Sequence, residues 1–511
     1  MENSRRTASI HILDDDSLIH VFCLYRPFLL GEDDDDDARD DAHLFGGWKA
    51  WVHGRWWYKL AHVCQRWRNV ILGSASYLGV SLVCTYGTPV ADMLAHSPPL
   101  PLVIDYRGYR DITEDEEGAI LALKHRDRVR HVRLFIPVTS LQKLIAAMDE
   151  EYPFLEYLII APLPPQLEDT STVLILPETL QAPHLRHLML IGFALPIGSR
   201  LLTTAVGLVT FCLCMNDPST YFHPNVLLHW LSFMPQLETL AIAFFFPVPN
   251  REVERQLTRT PIITLHNLRV LRFRGVSAYL EALVHRITTP RLEKLQIVFF
   301  NQLTFSVPRL MQFMNTTENL RFDCAKFWFD DGQVRVEVYP PVKAKMKVTF
   351  MLDVICQHLD WQVSAVAQIS DSLGQAFSAV EYLALGHEEH SRSSEEHNEV
   401  DRTEWRKLLG SFRNVKTLWI DNGLVEQLTR CLELEDEDGE LPLELLPELQ
   451  ELTYSAGDAF IDTRQNADRA ITLFRRSPSP DSVDIPSERS ERSEPALITR
   501  ASSEAGNDLD T

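Results

Sequence analysis

Residues that could do chemistry are thinly spread through this 511-residue chain, and few fall at working spacings. Cys212 and Cys214 form a C-x-C pair inside the apolar run AVGLVTFCLCM at 205–215. Thiolates so spaced suit a soft metal, but a tetrahedral site needs a second Cys/His pair, and the neighbourhood offers none. Reduced, buried thiols are expected for this pair, as for the cysteines at 23, 64, 84, 324, 356 and 431. His184 and His187 flank one apolar stretch and read as ordinary side chains. The run EDEEG at 114–118 gathers carboxylates without a nucleophile or partner, which suits a solvated helix start. The chain contains no G-x-S-x-G elbow, G-x-G-x-x-G turn, Walker loop or H-E-x-x-H pair. We expect no intrinsic active site, no metal and no cofactor. An enzyme with its site hidden among loops has no positive sequence feature behind it.

Charge says little about partners, because it is local. The formal net charge is −22, yet the acidic runs at 32–41, 388–404 and 433–440 carry −18 of it. Such runs are usually solvated loops. Neither a phosphate-binding stripe nor a basic amphipathic helix is present, so neither nucleic acid nor membrane is expected as a partner. No window is apolar for long enough to span a bilayer. The opening MENSRRTASI lacks the apolar core of a secretory signal, which points to the cytoplasm or nucleus.

The elements that would position any functional group come from a repeat. The template L-x-x-L-x-L, with other apolar residues allowed, fits Val129-Val132-Leu134, Leu155-Leu158-Ile160, Leu185-Leu188-Leu190, Leu208-Phe211-Leu213 and Leu237-Leu240-Ile242. It continues at Leu268-Leu271-Phe273, Leu292-Leu295-Ile297, Val380-Leu383-Leu385 and Val415-Leu418-Ile420. Starts from 129 to 292 recur every 23 to 31 residues, close to the leucine-rich repeat range. Pro153, Pro183, Pro235, Pro290 and Pro447 stand two residues before the first leucine of a match, and separate preceding helix from coming strand. Helices are predicted between them, at 225–234 and 307–315 for example. Repeats of this kind bury a core by stacking and leave one sheet face available for binding. Residues 323–375 lack a clear match and read as degraded repeats or an insertion. The Ser/Pro-rich segment 476–511 cannot bury enough surface to offset its ordering entropy and is predicted disordered. Ser477 and Ser479 precede proline there and suit phosphorylation only weakly.

Ahead of the repeats lie two amphipathic segments. Leu13, then Leu18, Val21, Phe22 and Tyr25, predict a helix over 10–26 begun by a run of aspartates. In YKLAHVCQRWRNVI, at 58–71, Leu60, Val63, Cys64, Trp67, Val70 and Ile71 fall on one face of a single predicted helix. Together the two segments resemble the F-box, which runs roughly L-P-x-E-[IL]-L-x-x-I-F, a turn, then L-x-x-[VL]-C-[KR]-x-W-R. Leu13, Asp16, Leu18, Val21, Phe22, Leu60, Val63, Cys64, Trp67 and Arg68 fall on its characteristic positions. The stretch 82–106 also looks like the segment that follows the F-box in proteins of mushroom-forming fungi. The resemblance implies docking onto the Skp adaptor of a cullin–RING ubiquitin ligase, with the repeats holding a protein substrate and other subunits doing the chemistry. It implies adaptor contacts from Leu13, Leu18, Val21, Phe22, Leu60, Val63, Cys64, Trp67, Val70 and Ile71. Two departures stand out: Asp14 occupies the family's proline position, and an acidic insert replaces its short turn.

The expected class is α/β. A small all-α F-box-like module at 8–75, with the insert at 27–55, is followed by an irregular leucine-rich-repeat solenoid at 77–475. Within the solenoid, acidic loops are expected at 387–404 and 433–440. The expected function is a substrate-recognition subunit of a Skp–cullin–F-box ligase. The alternative is a non-catalytic repeat scaffold whose degenerate F-box serves as a cap.

Overall fold

The computed structural model describes residues 13–25, 56–107, 112–163, 173–246, 261–300, 304–317, 323–340, 348–387, 400–421 and 445–454, with positions 302, 319–320, 423–425 and 427–428. The insert 27–55, the loop 433–440, Ser477, Ser479 and the whole segment 476–511 lie outside the described residues, as does most of the loop 387–404. That loop's last residues are described and open a helix, Arg402–Gly410, capped by the Asp401 side chain on Thr403 N at 2.9 Å.

Nineteen strands are described. The first seven are β1 (Leu82–Cys84), β2 (Leu102–Arg107), β3 (Val129–Ile136), β4 (Tyr157–Pro162), β5 (Leu174–Ile175), β6 (His187–Ile191) and β7 (Phe193–Ala194). The next six are β8 (Thr210–Met215), β9 (Thr239–Phe244), β10 (Ile263–Thr264), β11 (Val270–Gly275), β12 (Ile287–Thr288) and β13 (Lys294–Phe300). The last six are β14 (Cys324–Phe329), β15 (Gln333–Tyr339), β16 (Phe350–Ile355), β17 (Tyr382–His387), β18 (Thr417–Ile420) and β19 (Glu451–Tyr454). Fifteen of them form one sheet, in the order β1-β2-β3-β4-β6-β8-β9-β11-β13-β16-β15-β14-β17-β18-β19. Every pairing in it is parallel except β14–β15 and β15–β16. The architecture is a mixed α/β repeat, with β1 and β19 at its two edges.

The repeat template explains the register. The second apolar position of each match aligns as Val132, Leu158, Leu188, Phe211, Leu240, Leu271 and Leu295, and the third as Leu134, Ile160, Leu190, Leu213, Ile242, Phe273 and Ile297. All are buried, and helices such as Val138–Ala146, Pro224–Leu231, Ser277–Val284 and Pro308–Thr316 bury their apolar sides in the same core. Side chains alternate across a strand, so the intervening residues face the other way.

The phased prolines have a sharper role than ending helices. Each of Pro153, Pro183, Pro235, Pro290 and Pro447 is the second residue of a turn closed by the following leucine's N–H, as in Leu155 N to Tyr152 O at 3.3 Å and Leu185 N to Ala182 O at 3.1 Å. Proline's fixed φ suits that position. The residue before the leucine then stitches repeats together. His184 Nδ1 lies 2.6 Å from Pro153 O, Asn267 Nδ2 donates to Pro235 O at 3.3 Å, and Asn414 Nδ2 donates to Ser378 O at 2.7 Å.

Residues 323–375, read from the sequence as degraded repeats or an insertion, hold an antiparallel hairpin and one further strand of the same sheet. β14 and β15 form a hairpin turned by Asp330, whose carboxylate accepts from Gly332 N and Gln333 N, both at 2.8 Å. The chain passes from β13 to β14 three places away, returns along β15, and only then fills the gap with β16. Two reversals restore direction, so the sheet meets β13 and β17 in parallel. β14 and β15 alternate buried and half-buried residues, as strands with one face on the core must.

Candidate functional site

The N-terminal module is three short helices and a fourth turn. α1 (Asp15–Tyr25) begins at Asp14, whose side chain accepts from Ser17 N at 2.7 Å. That hydrogen bonding holds the Asp14 carboxyl below its usual value. Asp14 therefore does the work of an N-cap at the family's proline position.

The single helix predicted through 58–71 is two. α2 (Trp56–Ala61) ends, and α3 (Gln65–Gly73) begins after Cys64, whose extended backbone (φ −158°, ψ 168°) makes it the N-cap of α3. Its sulfur accepts from Trp67 N at 3.5 Å. Apolar spacing runs unbroken across this corner, which is why the sequence reads as continuous. α4 (Ala75–Leu78) ends at Gly79, at φ 62°, a left-handed conformation that glycine adopts without strain. Trp57 Nε1 then donates to Ser81 O at 3.1 Å, fastening α2 to the entry of β1.

The ten residues assigned to adaptor contact divide into three groups. Of these, Leu18, Phe22 and Ile71 are fully interior and Val70 is 8% exposed, so in this structure they pack within the module. They hold α1 on α3, with Phe22 edge-on to Trp67 at 5.0 Å between ring centroids. Leu60, Cys64 and Trp67 are half-buried. Leu13, Val21 and Val63 are exposed, at 37%, 41% and 59%. The contact set omits Leu24, the most exposed at 80%, and Tyr25, which the sequence had placed only on the helix. Their place on α1, one turn past Val21, was the available signal.

The second candidate surface is the sheet face opposite the helices. Its first strands carry an aromatic row in which Tyr157 stacks on His187 at 4.2 Å and meets His131 edge-on at 4.6 Å. Burial pushes the His187 imidazole down to about 4, and burial lowers His131 despite the Glu156 carboxylate 3.8 Å away. Both rings are therefore neutral near pH 7. Apolar residues follow: Ile159, Met189, Cys212, Cys214, Ala241 and Ala243 form a small cluster of their own. Burial raises the Cys214 thiol well above its usual value, and Cys212 beside it adds to the rise, so the Cys214 sulfur is not primed for attack. Beyond them lie Arg272, donating to Gln296 Oε1 at 2.6 Å, and Arg335, paired with Asp353 at 2.9 Å. Among the described residues, no group of three or more His, Cys, Asp or Glu is placed to hold a metal ion. No described helix is long and apolar enough to cross a membrane.

No protein-family model matches the chain, and no curated protein matches it. Among solved structures it is similar to the leucine-rich repeat-containing protein LegL7 from Legionella pneumophila, at 12% identity over 78% of this chain and 99% of that one, with a TM-score of 0.26. A likeness that loose leaves fold and function to be argued from the chain's own geometry.

Proposed function

We propose that this chain is a protein-recognition subunit with no catalytic chemistry of its own. Its helical module docks onto a Skp-type adaptor and through it onto a cullin–RING ligase, while the repeat sheet holds a protein substrate. One observation supports this most: the F-box-like positions split into a core (Leu18, Phe22, Val70, Ile71) and an exposed apolar set (Leu13, Val21, Val63) extended by Leu24 and Tyr25. A small folded module that leaves such residues outside gains about 1.5–3 kcal/mol for each one a partner buries fully.

The second reading is a repeat scaffold with no ligase role, the module serving as an N-terminal cap. Asp14 favours it, because a helix cap at that position is a self-sufficient folding device. Co-expression with the host's Skp-type adaptor separates the two. The ligase reading expects wild type to co-purify with the adaptor and a Val21→Glu variant to lose it while staying folded. Folded wild type that never co-purifies leaves the scaffold reading in place.

A further inference from the structure

The open sheet face carries charge opposite to that of the chain. From β11 to β14, the side chains pointing away from the helices include Arg272, Arg274, Lys294, Lys326 and Arg335. Against these five stand two carboxylates. Asp353 receives Arg335 at 2.9 and 3.4 Å, and Glu337 accepts from the Tyr339 hydroxyl at 2.6 Å. A basic face on a chain of net charge −22 attracts anions locally while the rest of the molecule repels them. Rings accompany the cations: Arg274 lies 4.3 Å from the Phe245 centroid and 5.9 Å from that of Phe300, and Lys326 lies 4.5 Å from that of Trp328.

We infer that this part of the sheet receives an acidic, extended segment of a partner protein. The inference rests on the sheet being the substrate-holding surface. Arg272 and Lys326 occupy one register row, Arg272–Gln296–Met351–Glu337–Lys326. Four strand spacings of about 4.8 Å separate them by about 19 Å, which an extended chain covers in about six residues. The fitting segment sets carboxylates about that far apart, with uncharged or apolar residues between them, where Glu337 would repel a third acid. A nucleic acid fits worse, because evenly spaced phosphates would be driven against Glu337 and Asp353.

The test selects a displayed random dodecapeptide library on the purified full-length chain, then measures the consensus peptide by fluorescence anisotropy. The expected consensus has two acidic positions about six residues apart. Lys326→Glu and Arg272→Glu should each weaken binding tenfold or more, and binding should fall between about 50 and about 300 mM salt. Lys326 pairs in register with Glu337, so Lys326→Gln, which sets no second carboxylate opposite it, is measured in parallel, and a thermal melt of each variant checks that it is folded. No enriched peptide, a basic or purely apolar consensus, unchanged affinity in both variants, or displacement by poly(U) RNA would each overturn the inference. Adaptor binding measured on the same preparations uses the module alone. Its failure with peptide binding intact counts against the ligase reading only, and the reverse result counts against the acidic-segment inference only.

Discussion

Arg66 and Asp15 lie 51 residues apart in sequence and side chain to side chain in the fold. Nη2 and Nε of Arg66 sit 2.8 and 3.0 Å from one Asp15 oxygen, and Nη2 also donates to the Leu13 carbonyl at 2.6 Å. The clasp joins the first turn of α1 to the first turn of α3, and so holds Leu13 and Val21 in a fixed relation to Val63. Because both partners are substantially exposed, the ion pair itself is worth little, about 0.2–1 kcal/mol. Arg66→Ala should lower stability by about 0.5–1.5 kcal/mol once the carbonyl hydrogen bond is included. A double-mutant cycle with Asp15→Ala in urea should give a coupling below about 1 kcal/mol, and zero coupling would mark the clasp as incidental.

Core and surface positions of the module should separate cleanly. Ile71 is fully buried, so Ile71→Ala removes core volume and should cost about 2–5 kcal/mol. Val63 is largely exposed, so Val63→Ser should stay within about 0.5 kcal/mol of wild type. Chemical denaturation followed by tryptophan fluorescence reads both. Equal losses at the two positions would contradict the placement of Val63 on the surface.

At position 386 the sheet needs glycine for space. Gly386 pairs in register with Trp328, and a Cβ there would overlap the indole ring. Gly386→Ala should cost about 1–3 kcal/mol through overpacking. The double variant with Trp328→Leu should recover most of that loss. A neutral Gly386→Ala would mean that the indole does not lie over β17.

Stability should fall on mild acidification through the aromatic row. Burial holds His187 at about 4, against about 6.5 for an unfolded histidine, and lowers His131 as well. The unfolded chain takes up these protons first, so the contribution is complete above about pH 6.5 and is lost as pH falls toward about 4. Glu156, held below its usual value first by hydrogen bonding with His131, adds a loss at still lower pH. Scanning calorimetry should show Tm falling from pH 7 to pH 5, and His187→Gln should fall less. Identical slopes for the two proteins would contradict a neutral, buried His187.

The legibility of this fold varied with what each pattern measures. The nine template matches became strands because burial of two leucines three residues after a turn leaves little freedom in where the chain goes. The hairpin of β14 and β15 was readable too, from DDG between alternating runs, but a search tuned to the repeat passes over period two. The corner at Cys64 was not legible, since apolar spacing reports which residues are buried and not whether the backbone between them is helical. For the same reason Leu18, Phe22, Val70 and Ile71 looked like contact residues: a stripe facing its own partner helix and a stripe facing another protein have the same composition. Leu24 and Tyr25 continue the Val21 side of α1 by one turn, a spacing already present in the sequence.

The most direct measurement is a calorimetric titration of the full-length chain with the host's Skp-type adaptor, for wild type and for Val63→Glu. The account predicts saturable one-to-one binding with a negative heat-capacity change for wild type, and loss of binding for Val63→Glu with its Tm unchanged. No heat of binding from folded wild type, or equal affinity for the two proteins, would contradict it.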